Sequence, residues 1–399
     1  MKLTKVTPYV INVPPPNYGG YQWYFLKLET DNGLVGWGET AVLFSLLNMD
    51  KAFTSLVEGL FDRFLKGQDP MNREMLNKLM FTGFSSHRTG YVEAGLISAF
   101  DMAMWDIVGK QLGVPVCNLL GGKFRDRLRS YTYIMDYSWT ADDDLMAAAT
   151  ELWGSPQKTA DMARKLVDEG FTGLKLDPLR YILPGTAPIT PWEVDQKELD
   201  QAERMIEAIR KAVGNDADIM IGTHGQITPS VSRRFARRIE QFDPLWLEEP
   251  CPADNADEMA RIRSATTIPI AGGERFAYVH DFERAFAVGA LHFAQPDLGA
   301  CGGITAAKQI SALAEAHYVL MAPHVWGGPL ITAAAIQVSA SIPNFLIQES
   351  IYKSGLFHGE ICKEPLVWED GDLLVPDTPG LGIELDEDVL EKYISPASR

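Results

Sequence analysis

Six stretches between residues 219 and 350 decide the fold: IMIGTHG (219–225), PLWLEEP (244–250), IPIAGGERF (268–276), LHFAQPDLG (291–299), YVLMAPH (318–324) and FLIQES (345–350). Each is a short apolar run that breaks into a polar or ionisable residue. From Gly222 through Glu248, Glu274, Asp297 and His324 to Glu349 the steps are 26, 26, 23, 27 and 25 residues. One strand, one helix and two turns fill such a step. Working outward, SYTYIM (130–135) and GLKL (173–176) precede these runs and complete eight strand candidates with amphipathic helical stretches between them. Alternating βα units in that number predict an α/β protein built on a (β/α)8 TIM-type barrel.

In such a barrel only the C-terminal strand ends open onto a shared mouth, so groups placed there meet. Strand two ends with Lys175 and Asp177, which alternation puts on one face. Strand three ends at Gly222, with His224 two residues on. The later strands end at Glu248, Glu274, Asp297, His324 and Glu349. A single glutamate at a strand end is ordinarily a helix cap or a surface charge, and a turn-cap role rivals any other for Asp297. Consecutive ionisable residues in register are not explained that way. Two glutamates on neighbouring strands make a hard-oxygen site suited to Mg2+. A dication there would hold a substrate carboxylate and stabilise the enediolate formed by loss of an α-proton, with flanking His and Lys side chains moving protons. His87, His280, His292, His317 and His358 fall outside the pattern and read as structural, although SSHRTG (85–90) is a polar loop within reach of the mouth.

The rest of the chain sets limits on function. With 36 Lys+Arg against 53 Asp+Glu, the net charge of −17 repels nucleic acid and anionic membrane. Composition (46% hydrophobic, 22% charged) is that of a soluble globular protein. No apolar run approaches the roughly 20 residues that span a bilayer, and the opening MKLTKVTPYVINVPPP lacks a signal-peptide core. The four dispersed cysteines form no CxxC pair and read as buried, reduced thiols of a cytoplasmic protein. Residues 1–40 read as β-rich, with YFLKLET (24–30) turning at Asn32-Gly33 into LVGWGET (34–40), and residues 50–112 read as helical. LLGGKFRDRL (119–128) reads as a linker. Residues 365–399 read as strand and loop that pack back on the N-terminal region. The long, proline-rich segment 178–193 reads as a lid over the mouth.

At these residues the chain resembles the enolase superfamily, in its mandelate racemase-like group, and within that the acid-sugar dehydratases of the galactonate and mannonate type. The motifs that carry the resemblance are GLVGWGE (33–39), DMAMWDIVGKQLGVPV (101–116), LLGG (119–122), GLKLD (173–177), THGQITP (223–229), PLWLEEP, IPIAGGERF, QPDLGACGGI (295–304), APH (322–324), IQES (347–350) and PGLGIEL (379–385). The resemblance implies an α+β capping domain (1–122), a (β/α)7β barrel (123–364) and a C-terminal segment (365–399) that completes the cap. It also implies bound Mg2+, a small sugar-acid substrate and a homo-oligomer.

Residue by residue, the resemblance makes Glu248 and Glu274 metal ligands. It makes Asp297 and His324 a dyad, with His324 the acid that protonates a departing hydroxyl. Glu349 bonds substrate oxygen or the dyad, and His224 takes part in proton transfer. Lys175 matches the first lysine of a Lys-x-Lys motif. Two positions depart from the pattern. Asp177 stands where racemases have the second lysine, which favours a dehydratase. Gly222 stands where the family has its first metal-ligating aspartate. Either Glu248, Glu274, water and substrate hold the metal without it, or a neighbour substitutes: Asp177, inward-facing on the adjacent strand, is the candidate, while His224 as a nitrogen ligand suits Mg2+ poorly.

The expected reaction is removal of the α-proton of a sugar acid and loss of its β-hydroxyl, giving a 2-keto-3-deoxy acid. Epimerisation or cycloisomerisation through the same enediolate is the alternative, and a catalytically silent binding protein lacking the ligand at 222 is another. Retention of His224, Glu248, Glu274, Asp297 and His324 argues against the last. The loops at 14–24, 80–90 and 178–193 are the segments that would read the sugar's stereochemistry.

Overall fold

The computed structural model describes residues 1–42, 45–88, 90–140, 142–143, 145–179 and 193–398, and most of the expected lid at 178–193 lies outside them. The chain opens on a three-stranded antiparallel sheet, β1 (Leu3–Asn12), β2 (Gln22–Thr30) and β3 (Val35–Thr40). Gly33, at φ +84°, supplies the positive φ that the tight β2–β3 turn requires, and Thr30 N donates to Leu34 O at 3.0 Å across it. Helices Asp50–Leu60, Arg73–Phe84 and Tyr91–Leu112 follow, the last buried along most of its length.

The barrel strands are β4 (Arg127–Tyr133), β5 (Gly173–Leu176), β6 (Asp218–Gly222), β7 (Trp246–Glu248), β8 (Ile270–Gly272), β9 (Phe293–Ala294), β10 (Leu320–Met321) and β11 (Gln348–Glu349). They pair in parallel in that order from β4 to β10, and β11 pairs with β4. A parallel bridge from Met321 to Phe345 joins β10 to the chain entering β11 and closes the ring. Seven crossings between barrel strands carry helices, and β11 is followed only by the one-turn helix Phe357–Glu360 before the chain leaves the barrel, which is the (β/α)7β pattern. Proline and polar caps start several of these helices. Thr228 caps Pro229–Ile239 with Pro at its first turn, and Asp195 with Glu198 makes a capping box on Gln196–Val213.

Tyr131, Met220, Trp246, Ala271, Ala322 and Ile347 fill the barrel interior as one apolar layer. That layer floors the mouth, so the barrel interior is a packed core and not a pore.

The cap and barrel are joined by buried carboxylates. Glu39, at the end of β3, accepts from Gly328 N at 2.5 Å and Ile331 N at 3.0 Å, capping helix Pro329–Ala340 from outside. Asp101 accepts from Thr305 N at 2.9 Å and Thr305 Oγ1 at 2.6 Å at the start of helix Gly303–Ala316. Each satisfies helix N-terminal donors that would otherwise be buried without partners.

The C-terminal stretch divides its contacts. Strands β12 (Trp368–Glu369) and β13 (Asp372–Leu374) form a hairpin that adds antiparallel to β4. Beyond it, Ser395 N donates to Val10 O at 2.8 Å, and Lys27 pairs with Glu387 at 2.6 Å. This segment also holds helix Glu387–Tyr393, capped by Asp386, where the sequence suggested only strand and loop. All four cysteines are buried and free. Among the described residues no helix is long and apolar enough to cross a membrane.

Candidate active site

Register brings the strand ends together. Lys175 pairs with Tyr133 and Met220, and Gly222 pairs with Glu248, which in turn pairs with Ala271. Glu248 and Lys175, both buried, make the central contact: Lys175 Nζ lies 2.5 Å from Glu248 Oε1 and 3.5 Å from Glu349 Oε1. The other Glu248 oxygen accepts from Trp246 Nε1 at 3.0 Å and Gln295 Nε2 at 2.7 Å. Burial pushes the Glu248 carboxyl up, but Lys175 and Gln295 outweigh it and hold it below the usual carboxylate range. Burial likewise opposes the charge on Lys175, and Glu248 and Glu349 more than offset it, keeping the ammonium well above the ordinary lysine range.

Glu274 is in the opposite condition. Burial, then the charge of Glu248 beside it, push its carboxyl well above the usual range. Its Oε1 accepts from Arg275 Nη1 at 2.5 Å, while Oε2 has no hydrogen-bond donor among the described residues and lies 3.6 Å from His324 Nε2. A second buried glutamate, Glu249, also pairs with Arg275.

Asp297 and His324 form a dyad. Asp297 Oδ2 lies 2.7 Å from His324 Nδ1, and Asp297 Oδ1 accepts from Gly299 N at 2.7 Å. With Nδ1 engaged, Nε2 is the ring nitrogen presented to the glutamates, 3.9 Å from Glu349 Oε2. Glu349 Oε2 in turn accepts from Val325 N at 2.8 Å.

Across the mouth, His224 sits in a turn directly after β6, at φ +49°, a left-handed conformation uncommon for a non-glycine residue. Gln226 N closes that turn on Thr223 O at 3.1 Å, and Thr223 Oγ1 ties it to Glu249 O at 2.7 Å. His224 Nδ1 lies 2.8 Å from Asp177 Oδ2, off the line of a good hydrogen bond, and among the described residues Asp177 Oδ1 has no donor.

The structure therefore gathers Lys175, Asp177, His224, Glu248, Glu274, Asp297, His324 and Glu349 around one mouth. An oxygen-only pair of adjacent glutamates with an undonated oxygen on Glu274 fits a hard dication such as Mg2+. Among the described residues, no group of three His, Cys, Asp or Glu side chains is assembled to hold a metal ion. Asp177, the suggested third ligand, has one oxygen turned to His224. The outlying histidines lie elsewhere: His358 is buried against Gly327 O, His292 bonds Arg263 and Ile270 N, and His87 is exposed.

Sequence reasoning missed Trp246 and Gln295, which hold Glu248, and the Arg275–Glu249 pair. Two-residue alternation was the available signal. Trp246 precedes Glu248, and Gln295 precedes Asp297, each by the step that keeps two side chains on one face.

Two family models match most of the chain. Residues 6–121 match the mandelate racemase/muconate lactonizing enzyme N-terminal domain, and residues 158–389 match the enolase C-terminal domain-like family. The chain belongs to the mandelate racemase/muconate lactonizing enzyme group of the enolase superfamily. Relatives of this group include the D-galactonate dehydratase of Pectobacterium atrosepticum, 33% identical over 98% of this chain and 94% of that protein. The D-galactonate dehydratase of Verminephrobacter eiseniae is 34% identical over 97% and 93%. A crystal structure of a mandelate racemase/muconate lactonizing enzyme from Jannaschia sp. CCS1 superposes with a TM-score of 0.91 at 34% identity, covering 100% of this chain and 99% of that one.

Proposed function

We propose that this protein is an Mg2+-dependent sugar-acid dehydratase, a carbon–oxygen lyase. It acts on an aldonic or aldaric acid and yields a 2-keto-3-deoxy acid. The observation that carries the reading is the placement of two imidazoles about one glutamate-lined mouth, His324 backed by Asp297 and His224 on the far side of Glu248. The relatives named as D-galactonate dehydratases support the substrate class.

Glu248 and Glu274 would hold the dication, which when bound would supply positive charge to offset the negative charge developing on the substrate carboxylate. His224 accepts the α-proton. His324 donates its proton to the β-hydroxyl as the carbon–oxygen bond breaks, so water leaves and an enol remains, which tautomerises to the keto acid. Glu349, anchored by Val325 N, presents an oxygen to the substrate or to His324. Lys175 acts as a fixed positive charge. Its two glutamate partners keep it protonated, which disfavours a racemase that uses a strand-two lysine as base.

A screen of aldonic and aldaric acids, with Mg2+ or with EDTA, tests the reading by semicarbazide detection of keto acid. Keto acid from at least one acid, abolished by EDTA, is the expected result. No keto acid from any member of either series would remove the dehydratase assignment.

A further inference from the structure

We infer that Asp177 is the positioning residue for His224, and that the missing side chain at position 222 is what admits its carboxylate. The inference rests on the proposed proton-transfer role of His224, and gives that residue the kind of support Asp297 gives His324.

Three observations carry it. First, Asp177 Oδ2 stands 2.8 Å from His224 Nδ1, with both side chains largely buried at the ends of adjacent strands. Second, Gly222 lies in strand β6 without a positive φ, a backbone that any residue adopts, so conformation does not demand glycine there. Space does. A Cβ on residue 222 would collide with Asp177 Oδ1; the next atoms are Asp177 Cγ at 3.3 Å and Lys175 Cε at 3.5 Å. The carboxylate of Asp177 thus fills the volume in which a side chain from β6 would stand. Third, the backbone of His224 is already fixed by the Thr223–Gln226 turn and its ties to Glu249, including Gly225 N to Glu249 O at 2.9 Å. With the main chain held, ring rotation is the remaining freedom, and it is what would bring Nδ1 onto the line to Asp177 Oδ2, 2.8 Å away. Nε2 is then the nitrogen left for the mouth, as it is in His324.

The site so described has two carboxylate–imidazole pairs, one on the β5/β6 side and one on the β9/β10 side. Each orients one ring nitrogen inward. Asp177 touches no reacting atom in this arrangement. It acts through His224.

Two measurements on the metal-free protein test this without any substrate. With 15N-labelled histidine, NMR reads which His224 nitrogen carries the proton, the signal being assigned by its loss in His224→Gln. The wild type should show the Nδ1–H form. Asp177→Ala should convert it to a mixture of tautomers, and Asp177→Asn, whose amide oxygen still accepts, should largely restore it. Gly222→Ala removes no functional group but displaces the carboxylate, so it should reproduce Asp177→Ala. Unchanged His224 signals in Asp177→Ala or in Gly222→Ala would overturn the inference. In the second measurement, calorimetric titration of Mg2+ should give the same affinity for Asp177→Ala as for wild type. A tenfold or greater weakening would overturn the inference by placing Asp177 among the metal's ligands. Because neither readout uses turnover, a failed substrate screen would leave this test standing.

Discussion

Lys175 Nζ lies 2.5 Å from Glu248 Oε1, and neither side chain reaches solvent. A buried pair of this kind is costly to break from one side, because the remaining charge loses its partner without regaining water. Lys175→Met should therefore destabilise the metal-free protein by about 3–5 kcal/mol. Adding Glu248→Gln should recover most of that loss. Urea denaturation in EDTA checks both. A Lys175→Met protein as stable as wild type would mean that the pair does not neutralise Glu248.

The Asp297–His324 dyad predicts a non-additive pair of substitutions. His324→Asn should lower turnover by at least the roughly 10²–10⁴-fold typical of lost acid–base catalysis. Asp297→Asn should also reduce it, and the double variant should be little worse than His324→Asn, because the two side chains act as one unit. A His324→Asn loss below tenfold would remove the acid assignment.

Glu248 and Glu274 should each be required for the dication, since Mg2+ typically uses only one or two protein carboxylates. Calorimetry should find no Mg2+ binding in Glu248→Gln or Glu274→Gln. Wild-type affinity in either would place the metal elsewhere.

The junction between cap and barrel predicts a pH slope in stability. Burial raises the Glu39 carboxyl from 4.5 to about 8, and Asp101 is raised to about 6 for the same reason. The folded state then holds protons that the unfolded chain releases above its ordinary carboxylate range. The native state binds more protons there, so stability falls as pH rises from about 4.5 to about 8. Glu39→Gln should flatten the upper part of that slope in denaturation midpoints measured from pH 5 to 8. An unaltered slope would show that Glu39 ionises freely where it sits.

Much of this site is legible in the chain because its groups recur once per βα module. Glu248, Glu274, Asp297, His324 and Glu349 need only the strand ends to be found, and a barrel brings strand ends together whatever the loops do. Partnerships between strands are less legible. That Gln295 and Trp246 share one oxygen of Glu248 depends on register, and a register is set by the whole sheet. The approach of Asp177 to His224 depends also on an absence, since the glycine at 222 signals nothing until its neighbour's carboxylate is seen in its space. Glu39 and its donors Gly328 and Ile331 are 289 and 292 residues apart, beyond any local pattern. Helix Glu387–Tyr393 is short and surrounded by Pro, Gly and Asp, so the Asp386 cap was its only clear signal.

In the proposed reaction, proton abstraction at the α-carbon is followed by loss of the β-hydroxyl. Incubating a turned-over sugar acid with the enzyme and Mg2+ in deuterated water, and reading the products by NMR, tests it most directly. The expected product is a 2-keto-3-deoxy acid carrying one solvent-derived deuterium at C3, where the enol is protonated. Recovered acid deuterated at C2, with no keto acid formed, would contradict it and assign the site to epimerisation.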